Sequence, residues 1–214
     1  MTKFILTAFN PANGQRARLH YDNATSELTS ESGESLVQAV EVVARANAPA
    51  VSKQTPLAKS SPRVLKISLG LSCNYACEYC SQRFVPRADE TNPGDVQAFV
   101  DGLDSWVTSP PEKVEFWGGE PLVYIKTMRP LAEAIRSKFP NAELSVITNG
   151  SLLNDEINDW LDRMGFSVGI SHDGPGQPVR GPDPLQDPEQ RAAIMALYAR
   201  LAPQRRISFN AMVN

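Results

Sequence analysis

Cysteine is scarce in this chain of 214 residues: there are three, and all three fall between positions 73 and 80. An odd count at such tight spacing, with no secretory signal ahead of it, argues against a disulfide framework. Histidine is scarcer still, with only His20 and His172. The charge balance is slightly acidic. The 21 Lys and Arg set against 24 Asp and Glu leave a net charge of −3, which argues against a broad nucleic-acid-binding face. No apolar run approaches the roughly 18–20 residues that cross a bilayer. Phe4-Ile-Leu-Thr-Ala-Phe9 is too short for a signal-peptide core, and no cleavage site follows it. Reduced thiols without an export signal or a span make a soluble cytoplasmic protein the expectation, with neither nucleic acid nor membrane as partner. The length suffices for one good core and a small appendage.

The three cysteines read Cys73-Asn-Tyr-Ala-Cys77-Glu-Tyr-Cys80. Three thiolates in one short loop can ligate three irons of a four-iron, four-sulfur cluster, and the fourth iron is then open to a small molecule. Zinc is the rival, because three Cys and a His form a common structural set. Structural zinc sites usually carry two Cys-x2-Cys-like pairs, however, and here one gap is three residues.

Around this stretch the chain divides into three. Residues 1–46 read as a small hairpin-helix unit: strands over Lys3–Phe9 and Arg16–Tyr21, turn formers between them, and a helix over Glu34–Arg45 carried by Leu36, Val37, Val40 and Val43. This unit either docks a leader peptide or partner on its exposed edge, or simply covers one end of the main domain. Residues 47–63 hold three prolines and few large apolar residues, and read as an extended linker. From Val64 onward strand and helix alternate, which predicts an α/β domain with a parallel sheet over 64–214. Strands are expected over Val64–Leu71, Lys113–Trp117, Glu143–Thr148, Phe166–Ser171 and Arg206–Val213. The helix after Asn92-Pro93 has an apolar face of Val96, Phe99, Val100, Leu103, Trp106 and Val107. Further helices are expected over Ile125–Phe139, with Pro130 marking a start or kink, from Asn154 to Gly165, and over Pro188–Leu201.

Three of these strands run into short polar motifs at their C-terminal ends, the edge where open α/β sheets keep their sites. They are Gly118-Gly119-Glu120-Pro121, Thr148-Asn149-Gly150 and Ser171-His172-Asp173-Gly174-Pro175. Taken alone, the first is only a turn. After a C-x3-C-x2-C loop it carries more: glycines let backbone carbonyls approach a cation, and a carboxylate favours it.

With Tyr79 just before the last cysteine, the loop resembles the signature of the radical S-adenosylmethionine superfamily. The run from Thr148 to Pro175 resembles that superfamily's peptide-modifying branch, which contains anaerobic sulfatase-maturating enzymes and SPASM-type maturases. The resemblance implies a [4Fe-4S] cluster on Cys73, Cys77 and Cys80. It also implies S-adenosyl-L-methionine chelated at the open iron, and an external one-electron reductant. The reduced cluster would cleave S-adenosyl-L-methionine, and a 5′-deoxyadenosyl radical would abstract hydrogen from a peptide or protein substrate. The motif Gly118, Gly119, Glu120 and Pro121 would bind the amino group of S-adenosyl-L-methionine. Tyr79, Asn149, Ser171, Asp173 and Arg180 complete the candidate cofactor residues, with Arg180 either pairing with the ligand's carboxylate or standing in solvent. His172 replaces the branch's usual apolar residue. It either brings an imidazole near the site or lies behind the strand as an ordinary hydrogen-bonded His. No catalytic acid or base is legible.

The implied fold is an incomplete (β/α)6-type partial barrel, with five parallel strands visible where six are expected. The chain therefore reads as the N-terminal part of a longer protein or as a short enzyme completed by a partner chain. The alternatives in function are a non-catalytic zinc or iron–sulfur module, or an inactive fragment of a longer enzyme.

Overall fold

The computed structural model describes residues 3–10, 13–22, 25, 27–36, 59–85 and 90–212. The chain separates into two compact units, Met1–Thr55 and Pro56–Asn214. The first is a three-stranded antiparallel sheet in the order β1 (Lys3–Phe9), β2 (Arg16–Asp22), β3 (Glu27–Ser30). The hairpin was legible; β3 was not. Of the helix expected over 34–45, only residues 34–36 are described. They turn back on β3 instead: Gly33 at φ +86° reverses the chain, and Ser35 bridges Thr29. The remainder of that helix lies outside the described residues, as does the expected linker before Lys59.

The second unit is an α/β domain whose five strands are all parallel and stand in chain order. They are β4 (Val64–Ser68), β5 (Lys113–Trp117), β6 (Glu143–Thr148), β7 (Phe166–Ser171) and β8 (Ile207–Asn210). Between them run α1 (Val96–Gly102), α2 (Ile125–Lys138), α3 (Asp155–Arg163) and α4 (Pro188–Leu201). Each helix starts where the local chemistry directs. Asn92 caps the turn ahead of α1 by accepting from Gly94 N, and Asn154 caps α3 by accepting from Ile157 N. Asp187 accepts from Glu189 N and Gln190 N ahead of Pro188.

Side chains alternate faces along a strand. One face of the sheet carries Leu65, Ile67, Val114, Phe116, Leu144, Val146, Phe166, Val168 and Ile170, all buried in one core with the helices. The opposite positions are Lys66, Ser68, Glu115, Trp117, Ser145, Ile147, Ser167, Ser208 and Asn210. That face is mostly polar, and Trp117 and Ile147 on it stay 41% and 42% exposed. A sheet with both faces packed would read as continuous apolar strands; this one keeps one face open.

Several boundaries differ from the sequence reading; β8 is one, running Ile207–Asn210 where Arg206–Val213 was expected, and Val213 lies outside the described residues. β4 stops at Ser68, because the chain swings at Gly70 (φ +141°), where any Cβ would meet the Tyr124 side chain 2.4 Å away. α1 is only seven residues long and continues as a single tight turn, Leu103–Ser105. Its expected face is also narrower: Val96, Val100 and Leu103 are buried, Trp106 and Val107 pack against the core, and Phe99 is exposed. Pro130 neither starts nor ends α2 but sits inside it, where Met128, Leu131, Ala132 and Ile135 anchor the helix. Gly102 closes α1 with open space around its absent Cβ. Gly102→Ala is therefore expected to stabilise the fold by about 0.4–1 kcal/mol, read as a higher melting temperature.

Candidate functional site

The C-terminal ends of β4, β5, β6 and β7 meet at one rim. The segment after β4 carries the cysteines, and the Gly118-Gly119 pair runs alongside its start: Gly119 N donates to Gly70 O (3.0 Å) and Glu120 N to Ser72 O (3.0 Å). This approach is why both positions are glycine. A Cβ on Gly118 would stand 2.7 Å from Gly70 O, and one on Gly119 would stand 2.4 Å from Ser72 O and 2.6 Å from Leu71 O.

Glu120 is 1% exposed, yet its carboxylate lines the rim cleft. Oε1 accepts from Leu122 N (3.0 Å) and Thr148 Oγ1 (2.7 Å), and Oε2 accepts from Asn149 N (2.8 Å). One carboxylate thus joins the end of β5 to the end of β6, and with about four acceptor positions on a carboxylate it keeps one unused by these donors. Burial pushes its carboxyl up, against the pull of the Asn149 and Leu122 N–H groups, the Thr148 hydroxyl and the charge of Arg180.

The cysteine loop is held from three sides. At its start, Ser72 N donates to Tyr124 Oη (2.6 Å), and Tyr124 Oη donates to Glu90 Oε1 (2.9 Å). In its middle, Asn149 Nδ2 donates to Asn74 Oδ1 (2.9 Å) and Asn74 Nδ2 to Ser151 Oγ (2.8 Å). Toward its end, Tyr79 Oη donates to Asp173 Oδ2 and accepts from Arg180 Nη1 (2.6 Å), while Glu78 N donates to Val179 O (3.0 Å). Burial and the bond to Asp173 push the Tyr79 phenol up to about 12, so it remains a donor. Asp173 is pulled the other way. Burial alone would raise its carboxyl, but Tyr79, Met212 N and Arg180 hold it below the usual carboxylate range.

The three thiols, Tyr79, Gly118, Gly119, Glu120, Asn149, Ser171 and Arg180 all line one cleft of about 640 Å³. Two of the expected cofactor residues do not: Pro121 is buried behind the rim, opening the short turn Pro121–Tyr124, and Asp173 stands behind Tyr79 and Arg180. Arg180 is not a solvated side chain; its Nη1 pairs with Asp173 at 3.6 Å, and its buried Nε has no partner among the described residues. His172 is not among the cleft-lining residues. Gly174 N donates to its Nδ1 (3.0 Å), which leaves the proton on Nε2 facing Asp183 Oδ1 (3.0 Å). Burial pushes the Cys73 and Cys77 thiols up. Among the described residues no three His, Cys, Asp or Glu side chains converge on one point close enough to hold a single metal ion.

Residues 67–212 match the Radical SAM superfamily, well over half of the chain. The chain belongs to the radical SAM superfamily. Within it, the sequence is 30% identical over 116 residues to a serine-type anaerobic sulfatase-maturating enzyme of Bacteroides thetaiotaomicron, covering 50% of this chain and 28% of that one. It is 29% identical over 187 residues to the enzyme of the same name from Klebsiella aerogenes, covering 75% of this chain and 43% of that one. It is also 34% identical over 94 residues to an S-adenosylmethionine-dependent nucleotide dehydratase of a Thermoplasmatales archaeon, covering 43% and 30%. The chain thus spans less than half the length of these relatives. Among solved structures, anSMEcpe with bound AdoMet superposes with a TM-score of 0.53 at 21% identity, over 70% of this chain and 43% of that one. Streptococcus suis SuiB bound to precursor peptide SuiA gives 0.52 at 18%, over 71% and 33%. Both establish the partial-barrel fold.

Several residues of this radical SAM rim escaped the sequence reading. Asn74, Tyr124 and Ser151 hold the cysteine loop, and Trp117, Ile147 and Met212 line the cleft. Trp117 and Ile147 had a usable signal: a large apolar residue on the polar face of a strand. Asn74 and Tyr124 had none, because their partners are remote in sequence. No helix among the described residues is long and apolar enough to cross a membrane.

Proposed function

We propose that this chain carries the cluster- and S-adenosylmethionine-binding part of a radical SAM enzyme that modifies a peptide or protein in the cytoplasm. The observation that carries the reading is the gathering of all three thiols with Gly118, Gly119, Glu120 and Arg180 on one cleft. The donor set suits a four-iron cluster on Cys73, Cys77 and Cys80. A cubane distributes its three thiolates over three irons, so they need not converge on one point as in a zinc site. When bound, the cluster supplies the electron that splits S-adenosylmethionine, which requires an external reductant.

The chain's own residues bind and orient. The Gly118 and Gly119 backbone and the remaining acceptor position of Glu120 suit the ligand's ammonium group. Arg180, with its unpartnered Nε, suits the carboxylate. Ser171 lines the cleft as a further polar contact. Trp117 and Ile147 line it with apolar surface. Asn149 acts on the ligand only indirectly, since its amide engages Asn74 and Ser151. The peptide substrate class is supported by the names of the sulfatase-maturating relatives. The nucleotide dehydratase relative favours a second reading, a nucleotide substrate.

The test is anaerobic reconstitution with iron and sulfide. About four irons per chain are expected, with S-adenosylmethionine binding by calorimetry, and each single change Cys73→Ser, Cys77→Ser or Cys80→Ser should abolish stable loading. One zinc and no iron after anaerobic purification would overturn the reading in favour of a structural metal module. Formation of 5′-deoxyadenosine that rises with added peptide rather than with nucleotides separates the two substrate classes.

A further inference from the structure

Tyr79, Asp173 and Arg180 come together across 94 and 101 residues of sequence. The Asp173 side chain is only 4% exposed. Its Oδ2 accepts from Tyr79 Oη, and its Oδ1 accepts from Met212 N (2.9 Å) and faces Arg180 Nη1. Arg180 closes the figure by donating to Tyr79 Oη and standing 5.9 Å from the Tyr79 ring centre. The turn that presents Asp173 and Arg180 is wound around buried Gln177, whose Oε1 accepts from Asp173 N (3.2 Å) and whose Nε2 donates to Pro182 O (3.3 Å). The three side chains therefore grip the cysteine loop between Cys77 and Cys80 from a rigid platform at the end of β7.

A loop with three thiols has many conformations, and a cluster selects one of them. Fixing the loop beforehand removes that ordering cost from metal binding. We propose that Tyr79, Asp173 and Arg180 form a clasp that holds the cysteine loop in its ligating form before any metal arrives, with Asp173 as a positioning residue that makes no contact with S-adenosylmethionine. The inference rests on the reading of Cys73, Cys77 and Cys80 as cluster ligands. The burial of Asp173 and the engagement of both its oxygens support positioning over ligand contact.

The experiment is hydrogen exchange on the full chain, metal-free and reduced, followed by anaerobic loading. Tyr79→Phe keeps the ring and deletes one hydroxyl; Asp173→Asn removes the charge. Peptides over residues 73–82 are expected to be protected in the unaltered chain. Each variant should speed their exchange roughly tenfold or more, the factor a charge-assisted hydrogen bond is worth, while residues 113–138 stay unchanged. Iron uptake should slow in both. Two results would overturn the clasp: exchange over 73–82 in the unaltered chain as fast as in the variants, or lost S-adenosylmethionine affinity with unchanged loop exchange, which would make Asp173 a ligand contact. If Asp173→Asn loses protection over 113–138 it has unfolded, and Tyr79→Phe decides alone. An unaltered chain that takes up no iron defeats the cluster reading, and the exchange comparison still decides the clasp.

Discussion

Glu120→Ala is expected to lower the stability of the metal-free chain by about 2–3 kcal/mol and to abolish measurable S-adenosylmethionine binding in the loaded one. The stability loss follows from what the carboxylate holds. Leu122 N, Thr148 Oγ1 and Asn149 N all donate to it. Each buried donor left without a partner costs about 1–3 kcal/mol. Two effects reduce the sum. Water from the cleft can reach the vacated space, and the variant no longer bears the cost of burying a charge, a cost visible in the raised carboxyl. The same raised carboxyl fixes the pH dependence. The folded state favours the protonated acid relative to the unfolded state, so Glu120's contribution is fully present below the ordinary carboxylate range and declines as pH rises through its folded value. The stability gap between unaltered chain and variant should therefore widen from neutral pH toward pH 4, in thermal unfolding run at each pH. A gap that narrows on acidification would mean that the carboxylate is better stabilised in the fold than in water, the reverse of what its burial implies. Unchanged S-adenosylmethionine affinity in the loaded variant would remove Glu120 from the ligand site and leave it as a tie between β5 and β6.

The strand–helix rhythm was legible because it rests on local chemistry. Periodicity and caps placed β5, β6, β7 and α4 at their observed ends, and Asn154 caps α3 by its own side chain. The errors arise where a distant partner decides. β4 stops early because Tyr124, far along the chain, occupies the space beside Gly70. Phe99 has helical spacing but is exposed, while Val96 and Val100 of the same helix are buried. The site behaves likewise. The three cysteines and the glycine pair announce themselves by spacing. The duties of Asn149 and Asp173 do not, because the groups they hold, Asn74 and Tyr79, carry no signal that points back to them. A motif can name a residue as part of a site without saying whether it touches the ligand or the loop that does.

Gly119 shows how far that distinction reaches, and Gly119→Val is expected to have the largest effect of any single change outside the cysteines. Sequence alone assigns the glycine to the ligand, as a place where backbone can approach a cation. The structure gives it an earlier duty. Its missing Cβ faces Ser72 O at 2.4 Å and Leu71 O at 2.6 Å, and both are main-chain atoms of the segment leading into Cys73. A flexible side chain could yield to an added methyl group; main chain cannot without moving. The bonds Gly119 N to Gly70 O and Glu120 N to Ser72 O would then lengthen together, and the cysteine loop would leave its place. Overpacking of this kind costs about 1–3 kcal/mol or more. Set against the loop arrangement that holds iron, that lowers its population roughly 5- to 150-fold. The expected result is a loss of stable iron loading together with S-adenosylmethionine binding, not of the second alone. Gly102→Ala serves as the control, because nothing lies within 4 Å of the Cβ it would add. Iron content by colorimetric assay and affinity by calorimetry, taken on the same preparations, give the answer. Full iron content with lost affinity would return Gly119 to the ligand alone. Full iron content with full affinity would detach the glycine pair from the site.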